Sequence, residues 1–377
     1  MRAGKDLEAS VAGALESCGN KIIVSGDSVL IKPNLVEPAD PESGQITTPG
    51  LVEAVARYCL DVGAKKVVIG EGPGYYQPDS FLRQCFTLTG VAEVAEKLGI
   101  PWVLFDEHRF RTFKAIPGCI ARDFHVTEFA FNCDKIIDLP VLKTHWLTRI
   151  TLGMKNLKGC LKWEDKPLFH RLDLERAVIE LNKIVRPAVT IIDGTPQSIT
   201  RQLSSGFSHW KDSNGGLIIA GMDIVATDAV GAALMGIDPS SVNLGSYGAE
   251  AGLGEGNLAR IDIIGEELKH LEFKLRLPEE ELHKSFPGLE ILGGQKACCG
   301  CLIPLLSSLN SLIEKGTKSN RPLQIYIGEK TSNLDSRSSL IIGDCAGAED
   351  AAITSVKGCP PAKDKILSVL SSMILVN

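Results

Sequence analysis

With 377 residues, 44% of them hydrophobic, the chain can bury an ordinary globular core and suits two or three domains. Its formal net charge of −6 argues against broad electrostatic capture of nucleic acid. No apolar run approaches the ~20 residues of a membrane-spanning helix, and the first residues lack a signal-peptide core, which points to a cytoplasmic protein with no membrane partner.

In chain order, a helix is expected over residues 6–18, followed by the strand SVLIKPNLV. Lys32-Pro33-Asn34 closes that strand, because proline cannot donate to a ladder. After a polar loop, Thr47 or Thr48 caps a helix that starts at Pro49 and ends near Gly63. KKVVIG is the next strand, and the β-α-β spacing predicts a mostly parallel sheet with flanking helices. EGPGYYQPDS follows. Pro73 breaks the glycine spacing of a nucleotide turn, so the segment reads as a ligand-facing loop carrying Glu71. Helices over 80–86 and 91–98, the strand WVLFD and a polar stretch then lead to the buried strand KIIDLP.

The next stretch, PVLKTHWLTRITLGMKNLKGCLK, dominates the large domain. Lys143, His145, Arg149, Lys155, Lys158, Lys162 and Lys166 can all carry positive charge, and no acid appears until Glu164. A solvated helix face interleaves both signs. Here the cations alternate with packing residues such as Gly153, Met154, Leu157 and Cys160, and semi-buried cations need a counter-charge. An anionic ligand would supply it, at the C-terminal end of a strand where open parallel sheets bind ligands. The competing interpretation is a basic surface loop with ordinary salt bridges.

LDLERAVIELNKIV has helical periodicity, PAVTIIDGT is a strand ending in Asp193 and Gly194, and residues 196–216 read as a polar, turn-rich loop over the site. GLIIAG is a strand. MDIVATDAVGAALMG starts a helix with Asp223 and Asp228 near its first turn. These two acids either serve the helix dipole or face the lysines, orienting them or binding a divalent cation. RIDIIG is a further expected strand, and the irregular sequence after it marks the domain boundary. We therefore expect a large α/β domain over 1–290 and a small α+β cysteine-rich domain over 291–377.

Eleven cysteines in a cytoplasmic chain should stay reduced. None lies between Cys160 and Cys298, after which five crowd together: Cys298, Cys299, Cys301, Cys345 and Cys359. Cys298 and Cys301 precede a helix, Cys345 ends a strand and Cys359 sits in a Gly-Cys-Pro-Pro turn. Three converging turns bearing soft thiolates suit a [4Fe–4S] cluster, with zinc or a metal-free cluster as alternatives. The Cys-Pro context favours iron–sulfur.

VLIKPNLV, TTPGLVEAVARYCLDVGAKKVVIGEGPG, VLKTH, LGMKNLKGCL, IIDGT and IIAGMDIVATDAVGAALMG together resemble the DUF362 family over residues 28–265. The resemblance implies no established reaction; members are often described as iron–sulfur proteins, some through an attached ferredoxin-like segment. It carries over Lys32, Asn34, Glu71, Lys143, His145, Lys155, Asn156, Asp193, Asp223 and Asp228 as polar motif positions. This chain lacks the tandem ferredoxin insert, and its N-terminus lacks the short first strand usual before the opening helix. A cluster here therefore depends on the C-terminal cysteines. Two functions follow as expectations. One is an enzyme acting on a small anionic molecule bound by Lys143, Lys155 and Lys158, with His145 moving a proton because its ordinary pKa is near neutral. The other is a non-catalytic electron-transfer or cluster-carrier protein that docks with a redox partner protein. A structural zinc protein is the remaining alternative.

Overall fold

The computed structural model describes residues 3, 6–19, 21–36, 38–41, 44–74, 79–145, 147–171, 173–195, 216–271, 277–293, 297, 299–330, 338–347 and 353–375. The loop expected over the site falls almost wholly outside them. Contacts divide the chain into one unit of Met1–Phe169 with Asp173–Leu275, and a second of His170–Leu172 with Arg276–Asn377.

In the first unit the near-continuous apolar runs become six strands: β1 (Ser28–Pro33), β2 (Lys66–Glu71), β3 (Trp102–Leu104), β4 (Lys135–Leu139), β5 (Val189–Gly194) and β6 (Leu217–Gly221). Their spatial order is β6-β5-β4-β1-β2-β3. All neighbours are parallel except β5 and β6, which pair antiparallel. Runs such as Val29-Leu30-Ile31 are fully buried because a parallel sheet is covered on both faces. One layer includes the helices Leu7–Ser17, Pro49–Asp61 and Val91–Leu98, whose buried faces join the strands in one core. Thr48 caps Pro49–Asp61, with Pro49 in the first helical turn.

The strand order reverses between β1 and β4, so the chain leaves their shared C-terminal edge in opposite directions. That is the place where doubly wound sheets open a crevice. The register sets Lys32 of β1 beside Asp138 of β4, and Asp138 beside Thr190 of β5.

RIDIIG departs from its expectation. Leu258–Arg260 forms one 3-10 turn and no strand follows, with Ile263 and Ile264 exposed. Alternating Ile and charge imitated a half-buried strand, but no sheet edge receives it.

The second unit carries its own four-stranded sheet of Leu289–Leu292, Leu323–Ile327, Ser339–Ile342 and Thr354–Val356, paired in that order and parallel throughout. The helices Cys299–Glu314 and Lys363–Leu375 pack against each other, burying Leu305, Leu309, Ile366 and Leu370.

Candidate functional site

At the β1–β4 crevice the polar ends of the strands meet. Lys32 is fully buried, and its Nζ donates to Glu71 Oε2 at 2.8 Å, to Pro33 O at 2.9 Å and to Asn156 Oδ1 at 3.3 Å. Glu71, from the end of β2, also accepts from the amides of Gly72 and Leu35. The pair is thus charge-balanced and hydrogen-bonded, the condition for holding two charges out of water. Lys166, the last cation of the basic stretch, lies buried against the same corner and donates to the Pro73 carbonyl. Burial pulls its pKa down to about 8, against the opposing pull of Glu71 and Asp106.

Two amides extend this cluster. Lys143 Nζ donates to Asn34 Oδ1 at 2.9 Å and to Gln45 O at 2.6 Å. Asn34 Nδ2 then donates to Asn156 Oδ1, and Asn156 Nδ2 donates to Asp138 Oδ1, both at 2.8 Å. Each amide can satisfy this chain in only one orientation, so a continuous run of donors leads from Lys143 to Asp138. Among the described residues Asp138 Oδ2 has no hydrogen-bond partner, and burial raises its pKa well above the ordinary aspartate value despite Lys32 and the Asn156 bond. The cue that sequence reading passed over was an acid inside an otherwise apolar strand.

The remaining acids turn to backbone. Asp193 accepts from the amides and hydroxyls of Thr48 and Thr195, tying β5 to the start of Pro49–Asp61. Asp223 caps the helix Ile224–Leu234 through Val225 N and Ala226 N, and its other oxygen accepts from Glu255 N. Asp228 accepts from Gly153 N at 2.7 Å and Met154 N at 3.0 Å. It therefore occupies the start of the short helix Gly153–Asn156, and burial pushes its pKa up to about 7. Asp223 and Asp228 serve as caps, not as partners facing the lysines.

Lys143, Lys155 and Lys158 all act electrostatically on His145. The imidazole follows β4 in a two-stranded ribbon, Thr144–His145 with Arg149–Ile150, and is half-buried. Its Nδ1 lies 3.1 Å from Leu147 N and 3.4 Å from Thr148 N, each amide donating. Burial, then the charges of Lys155, Lys158 and Lys143, holds its pKa well below the ordinary histidine value. This shift runs away from the near-neutral value assumed for a proton carrier at this position, because burial and then the lysine charges all oppose an imidazolium. Arg149, closing the ribbon, has φ 59°, a left-handed backbone uncommon outside glycine. Three lysine charges thus bear on one half-buried imidazole.

In the second unit Cys301 is buried, with its Sγ only 2.4 Å from where a Cβ on Gly343 would sit; Cys345 and Cys359 are exposed. Gly358 N donates to Asp344 Oδ1, which fastens the Cys345 turn to the Cys359 turn. Cys298 lies outside the described residues. Among the described residues, no three His, Cys, Asp or Glu groups are gathered as a metal site. The Cys301, Cys345 and Cys359 turns neighbour one another, through the Gly343 contact and the Asp344–Gly358 bond.

A family model for a domain of unknown function, DUF362, matches residues 29–233. The Thylakoid-associated protein sll1697 of Synechocystis sp. is 30% identical over 244 residues, 63% of this chain and 72% of that protein. Among solved structures, the lactate racemase apoprotein from Thermoanaerobacterium thermosaccharolyticum aligns over 97% of this chain and 88% of its own, at 11% identity and a TM-score of 0.41. A likeness that distant carries no argument about chemistry. No helix among the described residues is long and apolar enough to cross a membrane.

Proposed function

Since this chain belongs to the DUF362 family, a domain of unknown function, we propose that it is an enzyme whose β1–β4 crevice binds the carboxylate or phosphate of a small molecule. The observation that carries this reading is the gathering of the Lys143, Lys155 and Lys158 charges about one half-buried imidazole. Like charges gathered at one place repel, and an anionic ligand relieves that repulsion. Lys32, Glu71, Asn34 and Asn156 form the floor that keeps Lys143 in place, while Asp193, Asp223 and Asp228 hold the surrounding elements.

Titration calorimetry with inorganic phosphate, sulfate and small dicarboxylates tests the site. Saturable binding is expected, and Lys155→Ala should weaken it by about 1.5–3 kcal/mol, the worth of a charged hydrogen bond. Absence of saturable binding by any of these anions would defeat the proposal.

A second reading rests on the C-terminal turns: Cys298, Cys301, Cys345 and Cys359 hold a [4Fe–4S] cluster, and the protein carries electrons or the cluster itself to a redox partner protein. The glycine at 343, which leaves room for the Cys301 sulfur, and the Asp344–Gly358 bond between the other two turns support it. Anaerobically purified protein should contain about four irons and four sulfides per chain. Stoichiometric zinc without labile sulfide would leave the structural-zinc alternative. This reading keeps the protein in the cytoplasm with no nucleic-acid partner. The relative's thylakoid association points the other way, and membrane fractionation of cells decides between them.

A further inference from the structure

We infer that His145 acts as a permanently neutral hydrogen-bond donor, offering Nε2–H to an oxygen of the bound anion without surrendering the proton. This rests on the anion-binding reading of the same crevice and adds a role to it.

The argument begins with what surrounds Nδ1. The amides of Leu147 and Thr148 both point at it, 3.1 Å and 3.4 Å away. A backbone N–H can only donate, so Nδ1 must present a lone pair and the ring hydrogen resides on Nε2. Protonating Nδ1 would set a third N–H against two amide hydrogens. The Thr148 hydroxyl, 3.2 Å from the same nitrogen, gives its hydrogen to Ile150 O at 2.7 Å and could only accept from Nδ1, but two amide donors stand against that one acceptor. Arg149, opposite His145 in the ribbon, adopts its left-handed backbone where the chain closes around this nitrogen. Uncommon backbone of this kind concentrates at sites that must hold one geometry.

The charges acting on the ring agree with that geometry. Lys155, Lys158 and Lys143 are all positive, and each, like burial, opposes an imidazolium. A neutral imidazole in such a place polarises a carboxyl, carbonyl or phosphoryl oxygen as an electrophile and does not remove a proton. The ligand class that a concentration of positive charge and one N–H together favour is an oxyanion with several acceptor oxygens.

The test uses the full chain labelled with 15N at histidine. Long-range proton–nitrogen spectra would be recorded from about pH 5.5 to 8, a span in which an ordinary histidine titrates. The His145 ring is assigned by its loss in His145→Gln, or by its correlations to the assigned backbone should that variant fail to fold. The expected signature is the Nε2–H tautomer, unchanged across the range. Titration within it, or the Nδ1–H tautomer, overturns the inference. Inorganic sulfate, whose charge is constant over these values, is then added. A saturable shift of the Nε2 resonance, diminished in Lys155→Ala, supports both the donor role and the anion site. An intact tautomer that sulfate leaves unmoved overturns the anion site and, with it, the ligand role given to this nitrogen, while the locked tautomer stands.

Discussion

A Cβ on Gly159 would fall 1.9 Å from Glu71 Oε1 and 2.6 Å from Lys32 Nζ, so this backbone is the lid of the buried ion pair. Gly159→Ala must displace one partner or the chain itself. Its cost should be at least the about 1–3 kcal/mol of an overpacked core. Gly245→Ala is the matched control. In the helix Asn243–Glu250 its nearest new neighbour would be 3.8 Å away, and about 0.5–1 kcal/mol of stabilisation is expected. Urea midpoints of the two variants, read against wild type, give both numbers; equal midpoints would refute the lid. At this scale the sequence was only partly legible. Lys32, Asn34, Glu71 and Asn156 stood out as polar residues at the ends of apolar segments. Asp138 and Gly159 did not, and Lys166 showed only as the last cation of the basic stretch, because what distinguishes them is a neighbour far along the chain.

Among elements, the four-residue helix Gly153–Asn156 is the one whose surroundings most affect the site, since it carries Lys155 and Asn156. Its first amides are taken by Asp228, so no free helix start awaits a ligand. The Asp228 carboxyl has its pKa raised from 3.8 to about 7, chiefly by burial. Between those values the folded chain binds more protons than the unfolded one. Its contribution to stability therefore falls as pH rises through that window and levels off above it. Asp138 and Asp193 shift in the same direction, so the wild-type curve alone does not isolate Asp228. Asp228→Asn removes one titration. Relative to wild type, its stability should improve from about pH 4 to pH 7 in chemical denaturation; a difference curve that stays flat refutes the assignment. Elements with continuous apolar runs, such as β1, β4 and β5, were legible because burial on both faces leaves little choice of residue. RIDIIG was misread since local alternation says nothing about whether a sheet edge is present to receive it, and the left-handed Arg149 has no local signature at all.

For the whole molecule, the division after Leu275 separates two sheets with separate cores. If thiolate–metal bonds contribute to folding in the smaller unit, chelation or oxidation should release its amide protection while residues 28–265 keep theirs. Hydrogen exchange followed by mass spectrometry reads both regions at once, and simultaneous loss would show a single cooperative body. The buried cluster of the larger unit also has a temporal side. Lys32 meets Glu71 across 39 positions, Asn34 meets Lys143 across 109, and Asn34 meets Asn156 across 122. Loop closure over such spans must come before these bonds form. On the ribosome Lys32 can meet Glu71 early, but Asn34 must stay hydrated until Lys143 and Asn156 have emerged, so the crevice is completed only after that point.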